Sequence, residues 1–84
     1  MNIAIIGYGK MGRLAAEVAE AKGHTIKSII DPSAAGATHK DVSEESLAGV
    51  DVAIEFSLPD VVVENIKAVA AAGVSHVVAT TGWN

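Results

Sequence analysis

The sequence predicts an α/β fold: a Rossmann-type parallel sheet in the order β-α-β-loop-β-α-β. Three observations lead there. Residues 3–6, Ile-Ala-Ile-Ile, are a short continuous apolar run stopped by Gly7, the pattern of a strand buried on both faces. The period then changes, with Met11, Leu14, Ala15, Val18 and Ala19 falling at i, i+3, i+4, i+7 and i+8 on one helical face. The same succession returns in the second half of the chain, and strands alternating with helices argue for a parallel sheet with crossover connections.

Taken in order, the first helix is expected to bury the Met11, Leu14 and Val18 face and to expose Arg13, Glu17 and Glu20, with Gly23 after its last turn. A second strand spans residues 25–30 and stops at Asp31-Pro32. Residues 32–49 lack periodicity and read as loop, with one helical turn over residues 43–47. A third strand is expected over residues 51–56. Ser57-Leu58-Pro59-Asp60 then resembles a capping box, with Ser57 as N-cap and Pro59 in the first turn, where its missing N–H breaks no helical bond. The helix that follows buries Val62, Ile66, Val69 and Ala70 and ends at Gly73. A fourth strand over residues 76–79 leads into Thr80-Thr81-Gly82.

Composition narrows the partners. Eighty-four residues make one domain, and half of them are hydrophobic with a mean hydropathy of +0.38, which excludes a disordered, highly charged chain. A net charge of −4 provides no basic field for nucleic acid. With no cysteine, disulfides and thiolate chemistry are absent. The first residues do not have the pattern of a signal peptide, and no apolar stretch reaches the roughly 18 residues of a membrane helix. The expectation is a soluble, cytoplasmic protein that binds no membrane.

The strongest local feature is Gly7-Tyr8-Gly9-Lys10-Met11-Gly12, a G-x-G-x-x-G between a predicted strand and a predicted helix. Gly7 suits the tight turn out of the strand, Gly9 the close approach of backbone to a pyrophosphate, and Gly12 the close packing of helix on sheet. The helix N-terminus adds free N–H groups and about half a positive charge. Asp31, nineteen residues beyond Gly12 at the end of the second strand, stands where an acid accepts hydrogen bonds from the adenosine ribose. Its carboxylate opposes a 2′-phosphate, while Lys10 and Arg13 offer positive charge from the other side. The expectation is a nicotinamide dinucleotide, NADH favoured and NADPH also accepted.

The chain resembles a family, 4-hydroxy-tetrahydrodipicolinate reductase (dihydrodipicolinate reductase), an oxidoreductase of bacterial lysine and diaminopimelate biosynthesis. The resemblance rests on Ile3-Ala4-Ile5-Ile6-Gly7-Tyr8-Gly9-Lys10-Met11-Gly12-Arg13, on Gly23-His24 leading to Asp31, on Asp51-Val52-Ala53-Ile54-Glu55-Phe56-Ser57-Leu58-Pro59, and on Val77-Val78-Ala79-Thr80-Thr81-Gly82-Trp83. It implies that residues 7–12 hold the pyrophosphate and Asp31 the adenosine ribose. It further implies that Phe56 and Ser57 lie beside the nicotinamide ribose and pyrophosphate, and that Ala79, Thr80 and Thr81 line the nicotinamide side. Two residues depart from the family pattern, Glu55 where Asp is usual and Ala79 where Gly is usual, and the stretch between the second and third strands is short. The resemblance also implies that the catalytic residues and the substrate and tetramerisation domain lie beyond residue 84. Residues 1–84 are thus expected to be a partial NAD(P)-binding domain, truncated after the fourth strand, that binds cofactor without turnover.

Other residues have plainer readings. His24, His39 and His76 are scattered and are not expected to bind metal. Asp51 and Glu55 share a strand face and read as a strand-start acid and an acid near the crevice. Trp83 either caps the nicotinamide pocket or anchors its loop. An open sheet edge after the fourth strand predicts self-association. The competing readings are the cofactor domain of a homoserine- or sugar-dehydrogenase-like enzyme, and a non-catalytic nucleotide-sensing module.

Overall fold

A computed structural model describes residues 1–57 and 59–79, with only the backbone of Pro59. Its elements are β1 (Asn2–Ile6), α1 (Lys10–Ala21), β2 (Thr25–Ile30), β3 (Val52–Glu55), α2 (Pro59–Ala71) and β4 (Ser75–Val78). The four strands form one parallel sheet in the order β2-β1-β3-β4. The chain leaves β1 toward one side to form β2 and later returns on the other side as β3. That reversal opens a crevice at the carboxyl ends of β1 and β3, the usual ligand position in such sheets.

β1 is buried on both faces, as its unbroken apolar run predicts. Alternation sends Ile3 and Ile5 to one layer, where they meet Ala16 and Ala19 of α1. Ala4 and Ile6 enter the other, with Ile30, Ala53, and Val69 of α2. Both helices end on the same pair of hydrogen bonds. In α1 these run from Gly23 N–H to the Glu20 carbonyl and from His24 N–H to that of Ala19; in α2, from Gly73 to Ala70 and from Val74 to Val69.

The buried face of α1 differs from the expected one. Gly12, Ala16 and Ala19 face the sheet, whereas Met11, Leu14 and Val18 are 60%, 52% and 47% exposed. The cause is Gly12: a Cβ there would collide with the Gly7 carbonyl oxygen, so the helix lies against the turn through this residue and its small side chains follow it inward. The larger residues overhang the flank and line an open apolar surface with Val52, Ile54 and Val77 of β3 and β4. In α2, Val62 and Val69 are fully buried as expected, but Ile66 is only half-buried and Ala70 is exposed. Among the described residues α2 runs from Pro59, the expected first-turn proline, while Leu58, the first helical position of the expected capping box, lies outside them.

Residues 31–51 cross the α2 side of the sheet and replace a helix there. Leu47 is buried, and Val42 and Val50 pack beside it on the same core. The expected turn at residues 43–47 forms, closed by Leu47 N–H to the Ser43 carbonyl and by mutual bonds between Ser43 and Ser46. Thr38 and His39 lie along the outer edge of β2, both donating N–H to the Ile29 carbonyl. β4 pairs only with β3 among the described residues.

Candidate functional site

The crevice at the strand ends has a volume of about 480 Å³, within the usual range for a small-ligand site. Gly7, Gly9, Asp31, Lys40, Phe56 and Ser57 are among the residues that line it. Gly7 has φ +89°, and its N–H donates to the Ile30 carbonyl at 2.8 Å. A Cβ on Gly7 would lie 2.7 Å from the Phe56 carbonyl carbon and the Ser57 nitrogen. The turn after β1 is therefore seated directly on the backbone that leaves β3, and Phe56 N–H donates in turn to the Ile6 carbonyl at 2.6 Å.

Gly9 differs from its two neighbours in the motif. A Cβ there would meet nothing within 4 Å among the described residues, so no contact among them requires glycine at this position. Gly9 lines the crevice and is the N-cap of α1, and it contributes no capping side chain. The first-turn N–H groups of a helix have no partner within it, and here no acidic residue occupies that turn. These features fit an anionic group lying against bare backbone at Gly9, and a side chain at this residue would occupy that space.

Asp31 stands at the end of β2. Its Oδ1 accepts N–H bonds from Ser33 at 3.0 Å and Ala34 at 2.9 Å, and its Oδ2 accepts one from Tyr8 at 2.8 Å. The bond from Ser33 above all, then that from Tyr8, holds the carboxyl below its ordinary pKa, against a smaller opposing effect of burial. The carboxylate thus ties the glycine turn to the loop after β2.

The cations are arranged differently from the expectation. Arg13 lies over the Tyr8 ring, 4.3 Å from its centroid, and donates to the Ala35 carbonyl at 3.0 Å, so it clasps the turn to the loop. Lys40 and Asp41, from the loop whose sequence shows no pattern, line the crevice instead. Tyr8, Lys10, Met11 and Gly12 do not line it. Met11 sits on the outer flank of α1 and Gly12 faces the sheet. Ala79 follows β4, exposed, and donates its N–H to the Glu55 carbonyl at 2.9 Å. Leu58, Thr80, Thr81, Gly82, Trp83 and Asn84 lie outside the described residues.

Beneath the crevice is a polar cluster that the sequence reading misses. Glu55 is fully buried and accepts from the Ser57 hydroxyl, from Asn65 Nδ2 at 2.5 Å, and from His76 Nε2 at 2.9 Å. Ser57 follows Glu55 by two residues, whereas Asn65 and His76 come from α2 and β4, so no local motif announces those two. One signal was available: His76 pairs in register with Ala53, which places it on the same sheet face as Glu55. Asp51, by contrast, accepts the Asn2 N–H at 2.7 Å and lies far from this cluster along the strand.

Comparison with known proteins agrees with this architecture. The family described as dihydrodipicolinate reductase, N-terminus, matches residues 1–84. The 4-hydroxy-tetrahydrodipicolinate reductase of Christiangramia forsetii is 34% identical over 85 residues, covering 99% of this chain and 32% of that protein. The protein of the same name from Beutenbergia cavernae is 40% identical over 87 residues, covering 100% of this chain and 32% of its own length. That of Staphylococcus epidermidis is 44% identical over 64 residues, covering 71% and 26%. The chain spans about a third of the length of the first two relatives, 32% in each. With its whole length matched and its parallel sheet and glycine turn in place, the chain belongs to the dihydrodipicolinate reductase N-terminus family.

Proposed function

We propose that residues 1–84 are the nicotinamide-dinucleotide-binding domain of a 4-hydroxy-tetrahydrodipicolinate reductase that works in the cytoplasm. The observation that carries this reading is Gly9, which lines the crevice with open space where its side chain would be. The bare turn and the first-turn N–H groups of α1 would hold the diphosphate, and Gly7 and Gly12 would fix that turn against β3 and the sheet. Asp31 would accept a ribose hydroxyl, and Phe56 and Ser57 would line the nicotinamide half. When bound, the reduced cofactor would supply a hydride for a cyclic, unsaturated imine dicarboxylate. This chain's residues contribute position and orientation, and holding the donor in place is part of the roughly 7–11 kcal/mol that proximity can provide.

The preferred cofactor is NADH, because the Asp31 carboxylate would repel a 2′-phosphate. NADPH remains acceptable, since Lys40 stands in the same crevice. The overhanging apolar flank of α1, and an edge of β4 that pairs with no other strand among the described residues, support self-association of the chain. The experiment is a titration with NADH, followed by quenching of Trp83 and energy transfer to the reduced nicotinamide. Binding is expected in the wild type, with at least about a hundredfold loss in Gly9→Val, since its branched side chain would occupy the diphosphate position. Undiminished affinity in Gly9→Val would refute the site.

A further inference from the structure

The two faces of the sheet are covered unequally. Crossovers between parallel strands are right-handed, and the one from β1 to β2 runs across the sheet in the opposite direction to the one from β3 to β4, so α1 and α2 lie on opposite faces. Residues 31–51 complete the α2 face, where Val42, Leu47 and Val50 join its core. On the α1 face one helix serves four strands. Gly12 draws α1 down beside β1, where Ala16 and Ala19 meet Ile3 and Ile5. Beside it, the described residues leave Val52 and Ile54 of β3 half-buried and Val77 of β4 54% exposed. These strand residues and Met1, Met11, Leu14 and Val18 line one open surface, on which Lys22 and His24 are the sole polar side chains among the described residues. No carboxylate stands there to select a basic partner. Parallel sheets are covered on both faces, and an apolar surface of this kind calls for an apolar partner.

We infer that this face seats a second copy of the chain, related by a two-fold axis that lays the α1 flank of each copy over β3 and β4 of the other. The face carries both halves of such a contact. The flank of α1 is a ridge, and the two uncovered strands beside it form a hollow about 10 Å wide, the width of one helix. A two-fold axis sets ridge into hollow twice and closes the assembly at two copies. Met1, Met11, Leu14, Val18 and Val77 are 66, 60, 52, 47 and 54% exposed, roughly 500 Å² together, so the pair removes about 1,000 Å² or more from water, the lower limit of a specific interface. This assignment narrows the self-association proposed above to one face, and it does not depend on the cofactor crevice.

The test is analytical ultracentrifugation of the 84-residue chain. At concentrations up to about 1 mM the wild type is expected to approach twice its 8.5 kDa mass and stop there, with a dissociation constant of about 0.1 mM, the weak binding of a small interface. Leu14→Glu and Val77→Lys each place an unpaired charge in the contact and are expected to weaken association at least about tenfold. Neither residue lines the crevice. Mixed together, the two variants are expected to associate within about tenfold of the wild type, because opposite charges meet at one of the two symmetric contacts. Amide NMR spectra of the wild type on dilution need no variant, and shifts are expected at Leu14, Val18, Val52 and Val77. Doubling of mass that persists in both variants, dilution shifts confined to other residues, or assemblies that grow beyond two copies overturn this interface and leave self-association by another surface. A wild type that stays monomeric up to about 1 mM overturns both.

Discussion

Two carboxylates end the strands on either side of β1, and the protein uses them in opposite ways. Asp31, after β2, is half-buried and receives three main-chain N–H groups from the turn and loop around it. Glu55, at the end of β3, is fully buried and receives three side-chain donors, from Ser57 just after that strand, Asn65 of α2 and His76 of β4. Main-chain donors exist in any sequence, so the part Asp31 plays follows from its place after a strand. Two of the side-chain donors, Asn65 and His76, lie 10 and 21 residues away in the chain, so the part Glu55 plays depends on the tertiary structure. The first acid organises a loop beside solvent, and the second locks a helix and an outer strand to the sheet.

Substitution should separate the two most sharply at Glu55. Glu55→Ala removes a carboxylate from three buried or half-buried donors and is expected to cost about 3 kcal/mol in urea denaturation. A loss under about 1 kcal/mol would show that solvent already shares that carboxylate. His76→Leu removes one donor and is expected to cost about 1–2 kcal/mol. That pair matters because His76 Nδ1 is itself buried with no hydrogen-bond partner among the described residues, so Nε2 is the atom through which the ring is held there.

Asp31→Asn is expected to cost about 1 kcal/mol at neutral pH, and the cost should depend on pH in a defined direction. The Asp31 carboxyl has a lowered pKa in the folded state because of the N–H bonds from Ser33 and Tyr8. Its contribution is therefore fully present above the unfolded value of about 3.9, and it is lost as pH falls through the folded value. The stability difference between wild type and Asp31→Asn should be level near neutrality and shrink below about pH 4. A difference that grew on acidification would contradict this account of Asp31.

The smallest effect on stability is expected on the flank of α1. Leu14 is 52% exposed, so Leu14→Glu should change stability by no more than about 0.5 kcal/mol. The same change should lower the average mass seen by light scattering at high protein concentration. An unaltered mass would remove this flank from any self-association.

Much of the architecture is legible in the sequence because it depends on local pattern. The apolar run of β1, the two stops at Gly23 and Gly73 and the Pro59 helix start are each read from a few neighbouring residues, and the structure keeps them with shifts of about one residue. The buried face of α1 was misread because periodicity weighs apolar size, whereas close approach at Gly12 selects the small residues Ala16 and Ala19. The contribution of Leu47 to the core was illegible within an aperiodic loop. In the site, Gly7, Gly9 and Asp31 follow from turn and strand-end rules and are found at the crevice. Lys40, Asn65 and the Glu55–His76 pair do not, because only the sheet order and the packing of α2 bring them there.

The central claim is that the diphosphate of a dinucleotide lies against the bare backbone of the glycine turn between β1 and α1. The most direct measurement is a titration of the 15N-labelled chain with ADP, followed amide by amide in NMR spectra. The account predicts the largest shifts at Gly7, Gly9 and the first turn of α1, with smaller ones at Asp31 and Ser57. Shifts concentrated instead around Leu14, Val18 and Val77, on the open apolar flank, would contradict it.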